Sequence, residues 1–451
     1  MNVSYLIKPM LNAAYPVISH GKGVFLFDRE GKDYLDASSG AVTANIGHGV
    51  QEVVAAMAEQ ANKVSFVYRS QFTSEAAEKL AEKIAKMTDG RLKYSFFVNS
   101  GSEATETAMK IAIQFWQEKG RPSKHRIISR WRSYHGITIG ALSMSGHTAR
   151  RARFTPLLED FPAIDPPYCY RCPFNSTYPS CGLACANQLQ TAIKRIGAEQ
   201  IAAFIAEPVI GAAGAAIAPP EGYFEKIKDI CEDNDILFIA DEVMTGFGRT
   251  GKILACDHYQ VVPDIVAFGK GMSGGYTPIA AAVVSEKVLN PILIGSKLIM
   301  SGHTFSANPQ SCAVSLAVLN YVDENRIAEK AEETGRYLCN LLKKLAQGFQ
   351  LIGDLRGKGL LLGLEFVRRK DTKEPFAVSA GVTTLIIELA AKNGLLLYPS
   401  AAGEEGAGGD AVIIAPPLTI TKRECEELVR RLRKTLEEAE TIIQAAYMNE
   451  E

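Results

Sequence analysis

The run Phe238-Ile239-Ala240-Asp241-Glu242-Val243-Met244-Thr245-Gly246-Phe247-Gly248-Arg249-Thr250-Gly251 is followed, after twelve residues, by Asp264-Ile265-Val266-Ala267-Phe268-Gly269-Lys270-Gly271. The apolar stretches in it, Ile236–Ala240 and Ile265–Phe268, each end on a charged group set among small residues. Short apolar runs bounded by turn residues read as strands buried on both faces. Similar runs predict strands at Tyr94–Val98, Arg126–Arg130, Ile201–Ala206 and Ile279–Val284, with helices such as Ser102–Lys119 and Glu221–Asn234 between them. Ile111 and Phe115 share one helix face, and Gly120 with Pro122 stops that helix. This alternation predicts βαβ units and an α/β fold with a mainly parallel sheet flanked by helices.

Beyond about residue 325 the texture changes. Asn325–Gln347 reads as a long charged helix with Ile327, Leu338, Leu341, Leu342 and Leu345 as its apolar positions. Short strands are predicted at Leu361–Val367, Gly394–Tyr398 and Val412–Ile414. Thr421 with Glu424 forms a capping box for a last helix whose Leu428, Leu432 and Leu436 recur at helical spacing. A smaller α+β domain is therefore expected, formed by both chain ends. The opening run Gly31–Asp36 reads as a turn between strands that packs on it, and glycine-rich Gly403–Asp410 as a mobile loop. The expected division is an N-terminal segment over 1–60, a large domain over 61–325 and a small domain over 326–451.

The 451 residues are 47% apolar and 22% charged, with 49 Lys+Arg against 50 Asp+Glu, a formal net charge of −1. That composition excludes a disordered or collagen-like chain and carries no electrostatic footprint for nucleic acid or anionic membrane. The first twenty residues lack a basic segment followed by a sustained apolar one, so no signal peptide is expected. Ile201–Pro220, the longest stretch of low charge, is broken by proline and glycine and is no membrane span. Nine cysteines is an odd, low count that fits a reducing cytoplasm.

Three features fall at the C-terminal ends of predicted strands, where open α/β sheets bind their ligands. Asn99-Ser100-Gly101-Ser102-Glu103-Ala104 opens a helix, and small residues there let free N–H groups grip a phosphate. The same residues also read as an ordinary capped helix start. Asp241-Glu242 ends an apolar strand, where a carboxylate is poorly solvated and seeks a cationic or hydrogen-bonding partner. An acidic pair merely closing a strand is the plainer reading. Lys270, flanked by Gly269 and Gly271, can lose its proton through burial and act as a nucleophilic amine, or be a solvated surface lysine. Taken together, a phosphate cradle, a buried carboxylate and an amine 29 residues later are what pyridoxal phosphate requires.

On these motifs the chain resembles the class-III, or ω-, aminotransferases, with landmarks from about residue 20 to 420. The resemblance implies the aspartate-aminotransferase type of pyridoxal-phosphate fold, pyridoxal 5'-phosphate as cofactor, and transfer of an amino group from an amine donor to a keto acid by a ping-pong mechanism. It implies Lys270 as the lysine on the cofactor aldehyde and Asp241 as the partner of the pyridinium nitrogen. Val243 and Tyr134, in Tyr134-His135-Gly136, would pack on the two ring faces. Gly101 and Ser102 match the phosphate grip, and Glu207 an acidic residue near cofactor and substrate. Thr304, in Gly302-His303-Thr304-Phe305, matches a phosphate ligand supplied by a neighbouring subunit, so a homodimer, or a tetramer built on it, is implied. No nucleic acid or membrane is implied as a partner.

The resemblance also sets expectations about substrate. Many relatives that take α-amino acids carry an arginine where this chain has Ile413, in Asp410-Ala411-Val412-Ile413-Ile414-Ala415-Pro416. An ω-amine or ω-amino acid donor is therefore expected, with pyruvate or 2-oxoglutarate as acceptor. Arg69 and Val42 are the candidates for substrate contact. Arg69 falls near positions that line the family's substrate pocket across the dimer interface. Cys169, Cys172, Cys181 and Cys185 are spaced C-x2-C-x8-C-x3-C, which reads as free thiols in a packed loop or as a zinc clip. Aminomutases and racemases of the same family, and a non-catalytic cofactor-binding relative, are the alternative functions.

Overall fold

The computed structural model describes residues 5–11, 13–401 and 409–448. Its central feature is a seven-stranded sheet ordered Tyr94–Val98, Ala280–Val284, Ile265–Phe268, Leu237–Asp241, Ile201–Ala206, Arg126–Arg130 and Ala163–Ile164. Ala280–Val284 runs antiparallel to both of its neighbours, whereas the strands from Ile265–Phe268 to Ala163–Ile164 pair in parallel. Ile201–Ala206 and Leu237–Asp241 are buried throughout because helices cover both faces of the sheet. On one face Ala108, Ile111, Phe115 and Trp116 of the Gly101–Glu118 helix pack against Ile127, Ile205 and Ile239. On the other, Leu189 and Ile193 of one helix and Phe224 and Ile227 of the next meet Phe204 and Phe238. The expected α/β architecture is thus realised.

Both chain ends meet in the first of two smaller sheets. Ile18–Lys22, Phe25–Asp28 and Asp33–Asp36 form an antiparallel meander, and Leu35 pairs in parallel register with Leu395. Ile352–Lys358, Leu361–Phe366, Asp410–Ile414 and Tyr398–Ala401 form the second sheet. The region expected to hold one strand at 394–398 holds two, Leu395–Leu396 and Tyr398–Ala401, each in a different sheet. The Ile327–Ala346 helix buries Ile327, Leu338, Leu342 and Leu345, and Leu428, Leu432 and Leu436 of the last helix are fully buried beside them. The capping box forms: Thr421 N–H donates to Glu424, and Glu424 N–H to the Thr421 hydroxyl. Most of the glycine-rich run, residues 403–408, lies outside the described residues, and Asp410 already belongs to a strand.

A fully buried cation helps to join the lobes. Arg249, fully buried, donates to the carbonyls of Leu360 and Pro416, to the Ser39 hydroxyl and to the Asn45 side-chain oxygen. Four acceptors from three separate stretches of chain thus converge on one planar fork, whose geometry a lysine could not match. Removing it strands at least two buried carbonyls, each costing about 1–3 kcal/mol. Arg249→Met should therefore lower unfolding stability by about 2–5 kcal/mol, read from the shift of a urea transition. A shift of under about 0.5 kcal/mol, the scale of an ordinary surface change, would show that the clamp carries little of the fold.

Candidate functional site

Asp241 is the last residue of its strand and is almost fully buried. One carboxylate oxygen accepts the Val243 N–H at 3.0 Å. The other lies 2.7 Å from Nδ1 of His135, itself buried, so with Asp241 ionised the ring donates through that nitrogen. The neighbouring Glu242 turns the other way. It accepts from the Thr245 hydroxyl and from the N–H groups of Ala255 and Cys256, and burial pushes it up to about 7. Of the acidic pair, Asp241 faces the site while Glu242 ties down the following turn.

Lys270 follows the next strand, partly buried, with φ of 43°. A non-glycine residue in the left-handed region is strained, and such strain gathers at functional sites. Burial holds the Lys270 amine down to about 8, against the opposing pull of Asp241 and Glu207 and with help from Arg150 and Arg249. Glu207 is buried and accepts from the Tyr134 N–H at 3.2 Å and the Gly211 N–H at 3.1 Å, while Arg130 holds its backbone carbonyl. Desolvation raises the Glu207 carboxyl above its ordinary value.

The Gly101–Glu118 helix points its N-terminus at the same spot. Ser100 caps it by accepting the Glu103 N–H, and Glu103 reaches back to the Asn99 N–H. Among the described residues the Gly101 and Ser102 N–H groups have no partner within the chain, which leaves the positive end of an 18-residue helix open to an anion. Gly101 has to be glycine here, since a Cβ would come within 2.8 Å of Val243 Cγ1. The Ser102 hydroxyl accepts the Ile137 N–H at 3.0 Å, fastening the Tyr134-His135-Gly136 turn to the helix start.

The structure therefore brings Gly101, Ser102, Tyr134, Glu207, Asp241, Val243 and Lys270 together. Thr304 does not join them within the chain; it is exposed on a loop whose His303 approaches Glu103 at 3.7 Å. The Arg69 guanidinium is engaged by the Ser301 carbonyl and the face of Phe96. Val42, fully buried with φ of 58°, lies with Ile413 in an apolar cluster that includes Val209 and Met244. A left-handed β-branched residue is a clear outlier, and no sequence pattern announces it. His135 sits in the Tyr134-His135-Gly136 run, but its partner Asp241 stands 106 positions away, so no local pattern announces the pair. Cys169, Cys172, Cys181 and Cys185 are free thiols, and among the described residues no three metal-binding side chains are placed to hold an ion. A cleft of about 950 Å³ beside that insertion, lined by Trp131, Arg132, Thr148 and Tyr168, contains none of the converging residues.

The family model described as aminotransferase class-III matches residues 9–436. An uncharacterised aminotransferase of Bacillus subtilis, YodT, is 54% identical over 433 residues, covering 96% of this chain and 97% of that protein. The putrescine–pyruvate aminotransferase of Pseudomonas aeruginosa is 35% identical, covering 95% and 92%. The solved structure of an amine transaminase from an uncultivated Pseudomonas species, in its PLP-bound form, superposes with a TM-score of 0.91 at 33% identity, covering 97% and 99%.

The depressed amine makes a direct prediction. Below about pH 8 Lys270 is an ammonium, and above it a neutral nucleophile. In the cofactor-free protein, labelling of Lys270 by a small amine reagent, followed by peptide mass spectrometry, should rise with a midpoint near pH 8. A midpoint near 10.4, that of an ordinary lysine, would contradict the buried setting.

Proposed function

The chain belongs to the class-III aminotransferases, which depend on pyridoxal phosphate, and from that premise we propose that it moves an amino group from an ω-amine or ω-amino acid to a keto acid, pyruvate or 2-oxoglutarate, in two alternating half-reactions through Lys270. The observation that carries this reading is the strained, deprotonation-prone Lys270 amine facing a fixed Asp241–His135 pair.

The residues suit the cofactor. Two unpartnered N–H groups at a helix start suit a phosphate, and an anchored carboxylate with lone pairs to spare suits a ring N–H. Val243 and Tyr134 offer the two faces for a flat ring. When bound, pyridoxal phosphate supplies an aldehyde that takes up the amino group and a ring that accepts the electron pair left on the substrate carbon. Lys270 would hold that aldehyde, and its Nζ, once free, would be the base that moves the proton at the substrate carbon. Asp241, kept in place by His135 and the Val243 N–H, would hold a proton on the ring nitrogen and so stabilise negative charge in the ring.

The preference for an ω-donor is supported by Ile413, buried among apolar neighbours where an arginine would be needed to receive an α-carboxylate. A name such as putrescine–pyruvate aminotransferase among the relatives points the same way. The division into 1–60, 61–325 and 326–451 is proposed with it, because every strand of the large sheet falls between residues 94 and 284. Nine free thiols support a cytoplasmic setting, and no helix among the described residues is long and apolar enough to cross a membrane.

A panel of ω-amines tested against pyruvate and 2-oxoglutarate should show turnover that requires the keto acid. Turnover without it would move the reading to an aminomutase or racemase. In the same assay Asp241→Asn should retain cofactor but lose about 100- to 1000-fold in single-turnover rate, the scale for removing one aligned charge-stabilising group.

The assembly is proposed as a homodimer, or a tetramer of such dimers. Exposed Thr304 stands beside exposed Phe305, Met300 and Leu298, apolar groups that an interface would bury. Light scattering should return at least twice the chain mass; a fully active monomer at the same concentration would contradict the shared site.

A further inference from the structure

The second half-reaction poses a problem that the site as described does not solve. A keto-acid carboxylate entering a partly dry pocket needs a cation, and Ile413 offers none. Arg69 is occupied by Ser301 and Phe96. Arg249 is spent on the clamp between lobes. Arg151 donates to the carbonyls of Leu142, Ser143 and Ser145.

Arg150 is different. It lies in the short Thr148–Arg151 helix, exposed, with its guanidinium carbon 4.6 Å from the centroid of the Tyr134 ring. No side-chain hydrogen bond or ion pair engages it among the described residues. Tyr134 is itself part of the site: its N–H binds Glu207, and the next residue, His135, holds Asp241. The Arg150 charge is one of those that depress the Lys270 amine, so the two groups share one neighbourhood. A guanidinium resting on a ring face is held in place yet keeps its N–H edge free, the edge that pairs with a carboxylate through two charge-assisted bonds.

We propose that Arg150 is a specificity-determining residue that receives the carboxylate of the keto-acid acceptor, and of the amino acid formed from it, while carboxylate-free amine donors do not draw on it. This rests on the transaminase reading above. It separates the two half-reactions for a simple amine donor: such a donor brings no carboxylate to match, and one cation on the Tyr134 side serves the acid.

The test uses the cofactor-loaded enzyme and compares Arg150→Gln, Arg150→Lys and Arg69→Gln. Stopped-flow absorbance follows each half-reaction, one with a monoamine and one with pyruvate. Calorimetry measures binding of glutarate, which has the carboxylates of 2-oxoglutarate but no carbonyl to react. Arg150→Gln should weaken pyruvate at least tenfold more than the monoamine and weaken glutarate at least tenfold, with Arg150→Lys between it and the parent enzyme. Equal losses on monoamine and pyruvate, unchanged glutarate binding, or an acid-selective loss in Arg69→Gln instead would each overturn the assignment. Should glutarate binding depend on Arg150 in an enzyme that transfers no amino group, the carboxylate site stands and the transaminase reading falls. Transfer that continues with no acid-selective effect does the reverse.

Discussion

A carboxylate taken out of water at the end of an apolar strand is the constraint around which this molecule is arranged. Asp241 has to be solvated by protein, and its two chain partners, the His135 ring and the Val243 N–H, do only part of that work. Meeting the first partner brings the Tyr134-His135-Gly136 turn across the sheet. That turn in turn needs Ser102, which receives the Ile137 N–H, and Glu207, which receives the Tyr134 N–H. An anion cradle, a flat aromatic face and a second buried acid therefore come together as consequences of satisfying one charge. The carboxylate keeps lone pairs to spare for a further donor, and Lys270 follows the neighbouring strand.

How much of this could be read from residues alone depended on whether the signal was local. Strands such as Tyr94–Val98, Ile201–Ala206 and Ile265–Phe268 match their expected bounds residue for residue, because an apolar run between turn residues is a property of the run itself. The 394–398 stretch did not, since its split between two sheets depends on Leu35 and Ile413, far away in the chain. The same division holds in the site. Lys270 between its glycines and the small residues at Gly101 are visible as short patterns. The His135–Asp241 pair, the Arg249 clamp and the left-handed backbone of Val42 are contacts and angles that arise only when distant segments meet. Glu242 shows the limit most clearly: side by side with Asp241 in sequence, it serves the fold through three donors.

The arginines divide by what surrounds them more than by where they fall in the chain. Arg249 is enclosed, each of its acceptors protein, and its role is to hold three segments in one place. Arg69 braces a loop. Arg150 rests on the face of the Tyr134 ring and is exposed. Composition counts these residues equally, whereas the free energy of each is set by how many of its five N–H groups have already found partners.

The place of Ala280–Val284 in the large sheet has a consequence for how the chain is made. Tyr94–Val98, which launches the helix of the anion cradle, joins the sheet only through that antiparallel strand, some 180 residues later. Until residues 280–284 have left the ribosome, the first half of the site has no sheet edge to dock on, although the Leu237–Asp241 and Ile201–Ala206 strands can already pair. Long-range pairing of this kind carries its loop-closure entropy before any contact offsets it, and is slow. During synthesis, then, the nascent chain carries an apolar strand awaiting its partner, and the cradle can close only after residues 280–284 emerge.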